Sequence, residues 1–200
     1  VSALRFFLAT GNAHKAREFA ALARALGSGP VEILAAGTIG GMPAVPEDTG
    51  TFVGNARQKA RALLPRLPAD AWALADDSGL CVDALGGGPG VDSAIYAGPQ
   101  ADSIANLAKL VGVMREVPDG YRGAQFVCLL VALRQDGREM VGEGRCPGRL
   151  LREPAGPGGF GYDPIFVPEG VDRSFAELGE EGKRSLSHRA MAWRRLVDQI

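Results

Sequence analysis

The chain has 200 residues, 46% of them hydrophobic, enough to bury a substantial core as one domain or as two lobes sharing a sheet. A formal net charge of −1 offers no broad basic footprint for nucleic acid and no cationic helix for a membrane surface, so phosphate chemistry must come from local clusters. Three well-separated cysteines, Cys81, Cys128 and Cys146, form no C-x-x-C pair, which argues against a zinc site or disulfide framework and points to a reducing, cytoplasmic setting.

The N-terminal LRFFLAT is too short for a signal-peptide core, and no apolar run approaches the ~20 residues of a membrane span, so a soluble chain is expected. In chain order, LRFFLAT (4–10) reads as a buried strand. AHKAREFAALARALG (13–27) follows as a helix, with Phe19, Leu22, Ala23 and Leu26 on one face and Gly27 as C-cap. VEILAAG (31–37) is a second strand, and residues 50–67 a helix up to Pro65 whose first residues form its cap. Residues 71–77 and 79–85 read as two strands, 86–90 as a loop, and 101–114 as a helix capped by Asp102 or Ser103. Residues 124–148 form the clearest hairpin, turning at Asp136-Gly137. A loop, a short strand (162–167) and a last helix (187–200) complete the chain. Alternating strands and helices followed by a long hairpin predict a mixed-sheet α/β protein, without independent domains over 1–200.

Several motifs fail their structural context. GPGGFG (156–161) satisfies G-x-G-x-x-G, but Tyr162-Asp163-Pro164 follows where a dinucleotide site needs a helix N-terminus. DDSGL lacks the first glycine of a nucleophile elbow, and only His14 and His188 are available as a base for a serine. Neither H-E-x-x-H nor a P-loop occurs.

Four other segments are chemically complementary. TGNAHK (10–15) joins the first strand to the first helix, where main-chain N–H groups attract anions and where Lys15 opposes the helix dipole unless a phosphate is also present. Alone, it also fits an ordinary Gly-Asn turn. In PEDTGTFVGNARQKA (46–60), Glu47 and Asp48 precede a helix that carries Asn55 and Lys59 at i,i+4; alone, this fits acidic capping and a solvated face. ADDSG ends an apolar run on Asp76 and Asp77, in isolation a solvated strand end. EEGKRSLSHRA (180–190) concentrates Lys183, Arg184, His188 and Arg189 around the last helix start, a pattern common on plain surface. Together, hard carboxylate oxygens beside phosphate-seeking cations at element junctions point to a Mg²⁺–polyphosphate site.

The segments LATGNAHKAREF, EDTGTFVGNARQKA, LADDSGLCVDALGGGPGVDSAIYAG, GGFGYDPIFVP and KRSLSHRA resemble, in this order, the inosine triphosphate pyrophosphatase family, the non-canonical purine nucleoside triphosphate pyrophosphatases. The resemblance runs from about residue 6 to the C-terminus. It implies a Mg²⁺-dependent homodimeric enzyme that hydrolyses ITP, dITP and XTP to the monophosphate and pyrophosphate. The implied fold is a long mixed sheet with flanking helices in two lobes around a deep substrate cleft. Carried onto this chain, Thr10, Gly11, Asn12, Ala13, His14 and Lys15 would cradle the triphosphate, and Lys59 would face phosphate. Glu47, Asp48 and Asp77 would serve the metal, Asp77 would also accept the proton, and Ser78 would contact substrate. Phe160, Gly161, Tyr162 and Asp163 would enclose base and sugar, and Lys183, His188 and Arg189 would meet the purine. The chain departs from its relatives in a loop one residue shorter between Gly50 and Phe52, which leaves Glu47 and Asp48 both open as first metal ligand. It also has Ile95 where many relatives carry arginine. Another modified-base pyrophosphatase, a metal-dependent phosphodiesterase and a catalytically silent nucleotide binder are the alternatives.

Overall fold

The computed structural model describes residues 3–25 and 31–200, apart from the side chain of Ala13. Its strands are β1 (Leu4–Leu8), β2 (Val31–Ala35), β3 (Trp72–Val82), β4 (Gly123–Arg134), β5 (Glu139–Leu150) and β6 (Phe166–Pro168). Its α-helices are α1 (Ala13–Ala25), α2 (Phe52–Leu63), α3 (Ser103–Val113), α4 (Phe175–Leu186) and α5 (His188–Val197). The expected Leu26 and Gly27 of the first helix lie outside the described residues. The strands form one sheet in the order β2-β1-β3-β4-β5-β6. It is mixed: β1 runs parallel to β2 (Leu4↔Val31) and to β3 (Leu8↔Leu74), whereas β5 and β6 are antiparallel (Gly148↔Pro168).

The chain divides into two compact units, and β3, β4 and β5 each contribute to both. The first unit comprises the described parts of Val1–Asp77 with Cys128–Gly144 and Arg189–Ile200. Strand side chains alternate between faces, and here both faces are apolar. Phe6, Leu8, Trp72, Leu74, Cys128 and Leu130 pack with Phe19 and Leu22 of α1 and with Trp193 and Leu196 of α5. Phe7, Ala9, Ala73, Ala75, Val131 and Leu133 pack with Ala56, Ala60 and Leu63 of α2. A strand covered on both sides reads as a continuous hydrophobic run, which is why LRFFL shows no alternation.

The second unit comprises Ser78–Val127 and Arg145–His188. Its core gathers Leu80, Val82, Phe126, Leu150, Tyr162, Phe166 and Phe175 around Leu110 and Met114. Phe126 meets Phe166 edge-on at a centroid distance of 4.7 Å. Buried Arg122 donates to the carbonyls of Leu150 (3.0 Å), Met114 (2.6 Å), Val117 (3.2 Å) and Leu151 (2.6 Å), tying the end of α3 to the end of β5.

Most expected elements are present with shorter ends. Asp102 caps α3, Thr51 caps α2, and the β4–β5 hairpin turns through Gly137 at φ +90°. Three readings need correction. The two strands expected over 71–85 are one continuous strand, Trp72–Val82, since Asp76 and Asp77 are charge-paired and do not end it. The expected strand over 162–167 is reduced to Phe166–Pro168, because Asp163 N donates to Phe160 O (3.2 Å) and Ile165 N to Tyr162 O (3.1 Å) in a turn. Helix α4 was not anticipated, although Ser174 and Glu177 form a reciprocal capping box at its start. Gly179, at φ +67°, interrupts it.

Candidate active site

Within the first unit, β3 runs past its pairing with β1, whose chain turns away after the Ala9 N to Leu74 O hydrogen bond (2.7 Å). The two carboxylates follow, and alternation sends them to opposite faces. Asp77 follows Ala73 and Ala75 toward α2, and Asp76 follows Trp72 and Leu74 toward α1 and α5.

On the α2 side, Lys59 Nζ donates to Asp77 Oδ1 at 3.0 Å and to Glu47 Oε2 at 2.9 Å. Asn55, one turn earlier, donates Nδ2 to Asp77 Oδ2 at 3.1 Å. Its Oδ1 accepts from Thr49 N (3.1 Å) and Thr49 Oγ1 (2.8 Å), so the loop before α2 orients the amide toward Asp77. A Cβ on Gly54 would collide with the Thr49 side chain, so the close approach of loop and helix requires glycine there. Despite the shortened loop, Thr51 caps the helix by accepting from Gly54 N at 3.1 Å. Asp48 turns elsewhere: its Oδ1 accepts from Gln58 Nε2 at 2.9 Å, in an exposed position. Of the two candidate first ligands, Glu47 shares a cation with Asp77.

On the α1 side, Asn12 caps the helix, accepting from His14 N (2.9 Å) and Lys15 N (3.2 Å), while Thr10 Oγ1 accepts from Asn12 N (3.1 Å). A Cβ on Gly11 would meet no atom within 4 Å, so this stretch of backbone is approachable. The first turn of α1 contains no acidic residue to mask its N–H groups. His14 Nδ1 and Arg17 Nη2 are 3.0 Å apart at the surface. Lys15 Nζ reaches Asp76 Oδ2 at 2.8 Å. Arg189 Nη1 donates to Glu18 Oε2 at 2.6 Å, with its Nε 3.9 Å from Asp76 Oδ2.

These settings push the neighbouring carboxylates apart. Burial dominates at Asp77 and raises its pKa to about 6, although Lys59 and Lys15 oppose the rise. Burial also acts on Asp76, but Lys15, Arg189 and Lys59 together outweigh it and hold that carboxyl at about 2. Burial works against the charge on Lys59, yet Asp76, Asp77 and Glu47 more than compensate and raise its pKa. Two adjacent acids thus differ in proton affinity, Asp77 being held well above Asp76.

Among the described residues, no three His, Cys, Asp or Glu side chains are grouped to enclose a metal. Glu47 and Asp77 nevertheless fit Mg²⁺: both offer hard oxygens, and one cation already lies between them. That ion is commonly held by one or two carboxylates, with substrate phosphates and water completing its shell.

In the second unit, Ser78 is half-buried immediately after Asp77. Tyr162 is 5% exposed and donates its hydroxyl to Ser93 O at 2.8 Å, so it is a core residue. Phe160, 39% exposed, is in contrast at the surface. Asp163 Oδ2 accepts from Phe160 N (2.8 Å) and from Lys183 Nζ (2.8 Å), joining the glycine-rich turn to α4. That turn needs its glycines: Gly159 has φ +87° with Asp163 where a Cβ would be, and Gly161 has φ +62°. Buried His188 stacks on Phe126, centroids 4.8 Å apart and planes 10° from parallel.

Glu18 is a participant that residue-type reasoning did not include, and Asn55, placed beside Lys59 by helical spacing, had no role assigned to it. Asn55 was legible as the i,i+4 neighbour of Lys59, and Glu18 only as the acid one turn after Lys15.

Residues 6–199 match the family model described as the Ham1 family. The chain is 62% identical over 198 residues to the dITP/XTP pyrophosphatase of Opitutus terrae, covering 98% of each. It is 47% identical to the dITP/XTP pyrophosphatase of Escherichia coli strain K12, covering 96% of each. Its fold is similar to that of a HAM1 protein from Coxiella burnetii, with a TM-score of 0.85, 33% identity and 98% of each chain covered.

Proposed function

The chain belongs to the Ham1 family, and from this we infer that it is a dITP/XTP pyrophosphatase, a hydrolase of nucleotide metabolism. We propose further that ITP is a substrate, that the reaction needs Mg²⁺, that it removes non-canonical purines from the nucleotide pool, and that the enzyme is a homodimer. One observation carries the site reading: Asp77 lies buried with its pKa raised to about 6, oriented by Asn55 and Lys59 beside Glu47.

A water attacks the α-phosphorus. Asp77 takes its proton, the bond from the α-phosphorus to the bridging oxygen breaks, and pyrophosphate leaves opposite the new P–O bond. Proton acceptance contributes on the order of 10²–10⁴-fold. Lys59 and Lys15 offset charge on the leaving pyrophosphate, and the α1 N-terminus, from Thr10 to Lys15, cradles the phosphates with main-chain N–H groups. Glu47 and Asp77 would hold Mg²⁺, which would supply charge neutralisation at the phosphate oxygens. Asp48, engaged with Gln58, is a supporting charge in this reading. The base and sugar are assigned to Phe160, Gly161, Asp163 and the main chain of Tyr162, together with Lys183, His188 and Arg189, with Ser78 as a further contact. A 6-oxo purine presents an acceptor where adenine presents a donor, so the guanidinium of Arg189 favours the former. A hydrogen bond of this kind discriminates by ~10⁴ or more.

The test is a panel of nucleoside triphosphates with Mg²⁺, scoring pyrophosphate against orthophosphate. Pyrophosphate released from dITP, XTP and ITP, well ahead of dATP and dGTP, is expected. Orthophosphate as the product, or equal turnover of all bases, would refute the assignment. Sedimentation at working concentration tests the dimer.

A further inference from the structure

Asp76 has no part in the steps above, yet its side chain is 1% exposed, and an acid so buried is retained only where it is paired. Its pairing is specific. Oδ2 meets Lys15 Nζ at 2.8 Å, with Arg189 Nε 3.9 Å from the same oxygen. A second acid closes the group, since Glu18, one turn beyond Lys15 on α1, takes Arg189 Nη1 at 2.6 Å. Within these pairs two acids offset two cations.

We propose that Asp76 is a positioning residue that aims the phosphate-side lysine and the base-side arginine from one buried carboxylate, taking no part in metal binding or proton transfer. The proposal rests on the reading of Lys15 and Arg189 given above. Alternation along β3 turns Asp76 away from the face where Asp77 meets Lys59 and Asn55. Its near oxygen is occupied by an ammonium group from α1. Lys15 and Arg189 are long side chains whose ordering on binding costs free energy; holding Lys15 by a close ion pair, and drawing Arg189 by charge while Glu18 binds it, lowers that cost before substrate arrives. One carboxylate therefore couples phosphate binding to base selection, and its loss disturbs both together.

The experiment compares Asp76→Asn and Asp76→Glu with the parent enzyme. It records kcat and KM for dITP, the dITP-to-dATP ratio of kcat/KM, and the Mg²⁺ concentration for half-activation. For Asp76→Asn, a KM for dITP raised about tenfold or more and a selectivity ratio lowered by a similar factor are expected, given what misaimed polar groups cost. The Mg²⁺ half-activation point is expected to stay within about twofold, since a residue that is not a ligand shifts it little. Asp76→Glu keeps the charge on a longer arm and recovers part of the lost selectivity. A raised Mg²⁺ requirement with selectivity intact would make Asp76 a metal ligand and overturn the proposal. So would a Glu variant no more selective than the Asn variant. If Asp76→Asn does not fold, Asp76→Glu is judged against the parent by the same two measures, with lowered selectivity at unchanged Mg²⁺ response supporting the proposal and the reverse overturning it. A parent enzyme with no preference for dITP over dATP would refute the functional reading itself, and that result is visible before any variant is made.

Discussion

Replacing Asp77 by Asn separates what this carboxylate does for chemistry from what it costs the fold. Its pKa of about 6 lies above the ~3.9 of aspartate in an unfolded chain. Between these values the folded protein binds a proton that the unfolded chain has released. The stability this group contributes is therefore complete below pH ~3.9 and is lost as pH rises through about 6, at about 1.4 kcal/mol per pH unit. From about pH 4.5 to about pH 7.5 the loss is about 2 kcal/mol. Asn has no such slope. The stability of Asp77→Asn relative to the parent should therefore improve by about 2 kcal/mol across that window, or roughly 4–8 °C in Tm for a chain of this size. Asp76, held at about 2, titrates below the window and is common to both proteins. Thermal melts in metal-free buffer at the two pH values measure the gap, and dITP hydrolysis with Mg²⁺ measures the chemistry, expected to fall by about 10²–10⁴-fold. A stability of Asp77→Asn relative to the parent that stays constant or falls with rising pH would refute the burial argument. Turnover near the parental rate would refute Asp77 as the proton acceptor.

Phe160→Ala should leave the unfolding free energy within about 0.5 kcal/mol of the parent while raising KM for dITP, because the residue is exposed. Tyr162→Phe should instead lower stability by about 1 kcal/mol, the worth of the lost hydrogen bond to Ser93 O, with KM nearly unchanged; denaturant titration and steady-state kinetics on both variants check this contrast. Arg122→Leu removes one donor from each of four backbone carbonyls, and a loss of about 3–5 kcal/mol is expected by the same titration. A loss below about 1 kcal/mol would mean that water replaces the guanidinium.

Much of this architecture is legible from local pattern. The hairpin announces itself through Asp136-Gly137, and α3 through Asp102, which accepts from Ile104 N at 2.9 Å and Ala105 N at 3.2 Å. The failures share a cause, since local residue type misleads where a distant partner changes the balance. Two adjacent aspartates read as a chain break until Lys15 and Lys59 neutralise them and the strand continues. Helix α4 hides because Gly179 breaks its periodicity, leaving the capping box at Ser174 as its only strong sign. Tyr162 and Phe160 look equivalent as stackers, and the turn that buries one and exposes the other depends on Asp163 being held by Lys183, twenty residues away.

Sequence by itself determined the inventory of the site: carboxylates, lysines and a helix N-terminus at the junctions of an α/β chain, with Asn55 and Lys59 on one face by helical period. Which acid does what was decided only by tertiary structure. Alternation along a strand guarantees that Asp76 and Asp77 diverge, but not what waits on either side. That depends on α2 covering one face and α1 with α5 the other, which brings Glu18 to Arg189 across 171 positions of sequence. Burial and the particular cations met there set one carboxyl at about 2 and its neighbour at about 6. Those are long-range electrostatic facts that short-range sequence pattern does not encode.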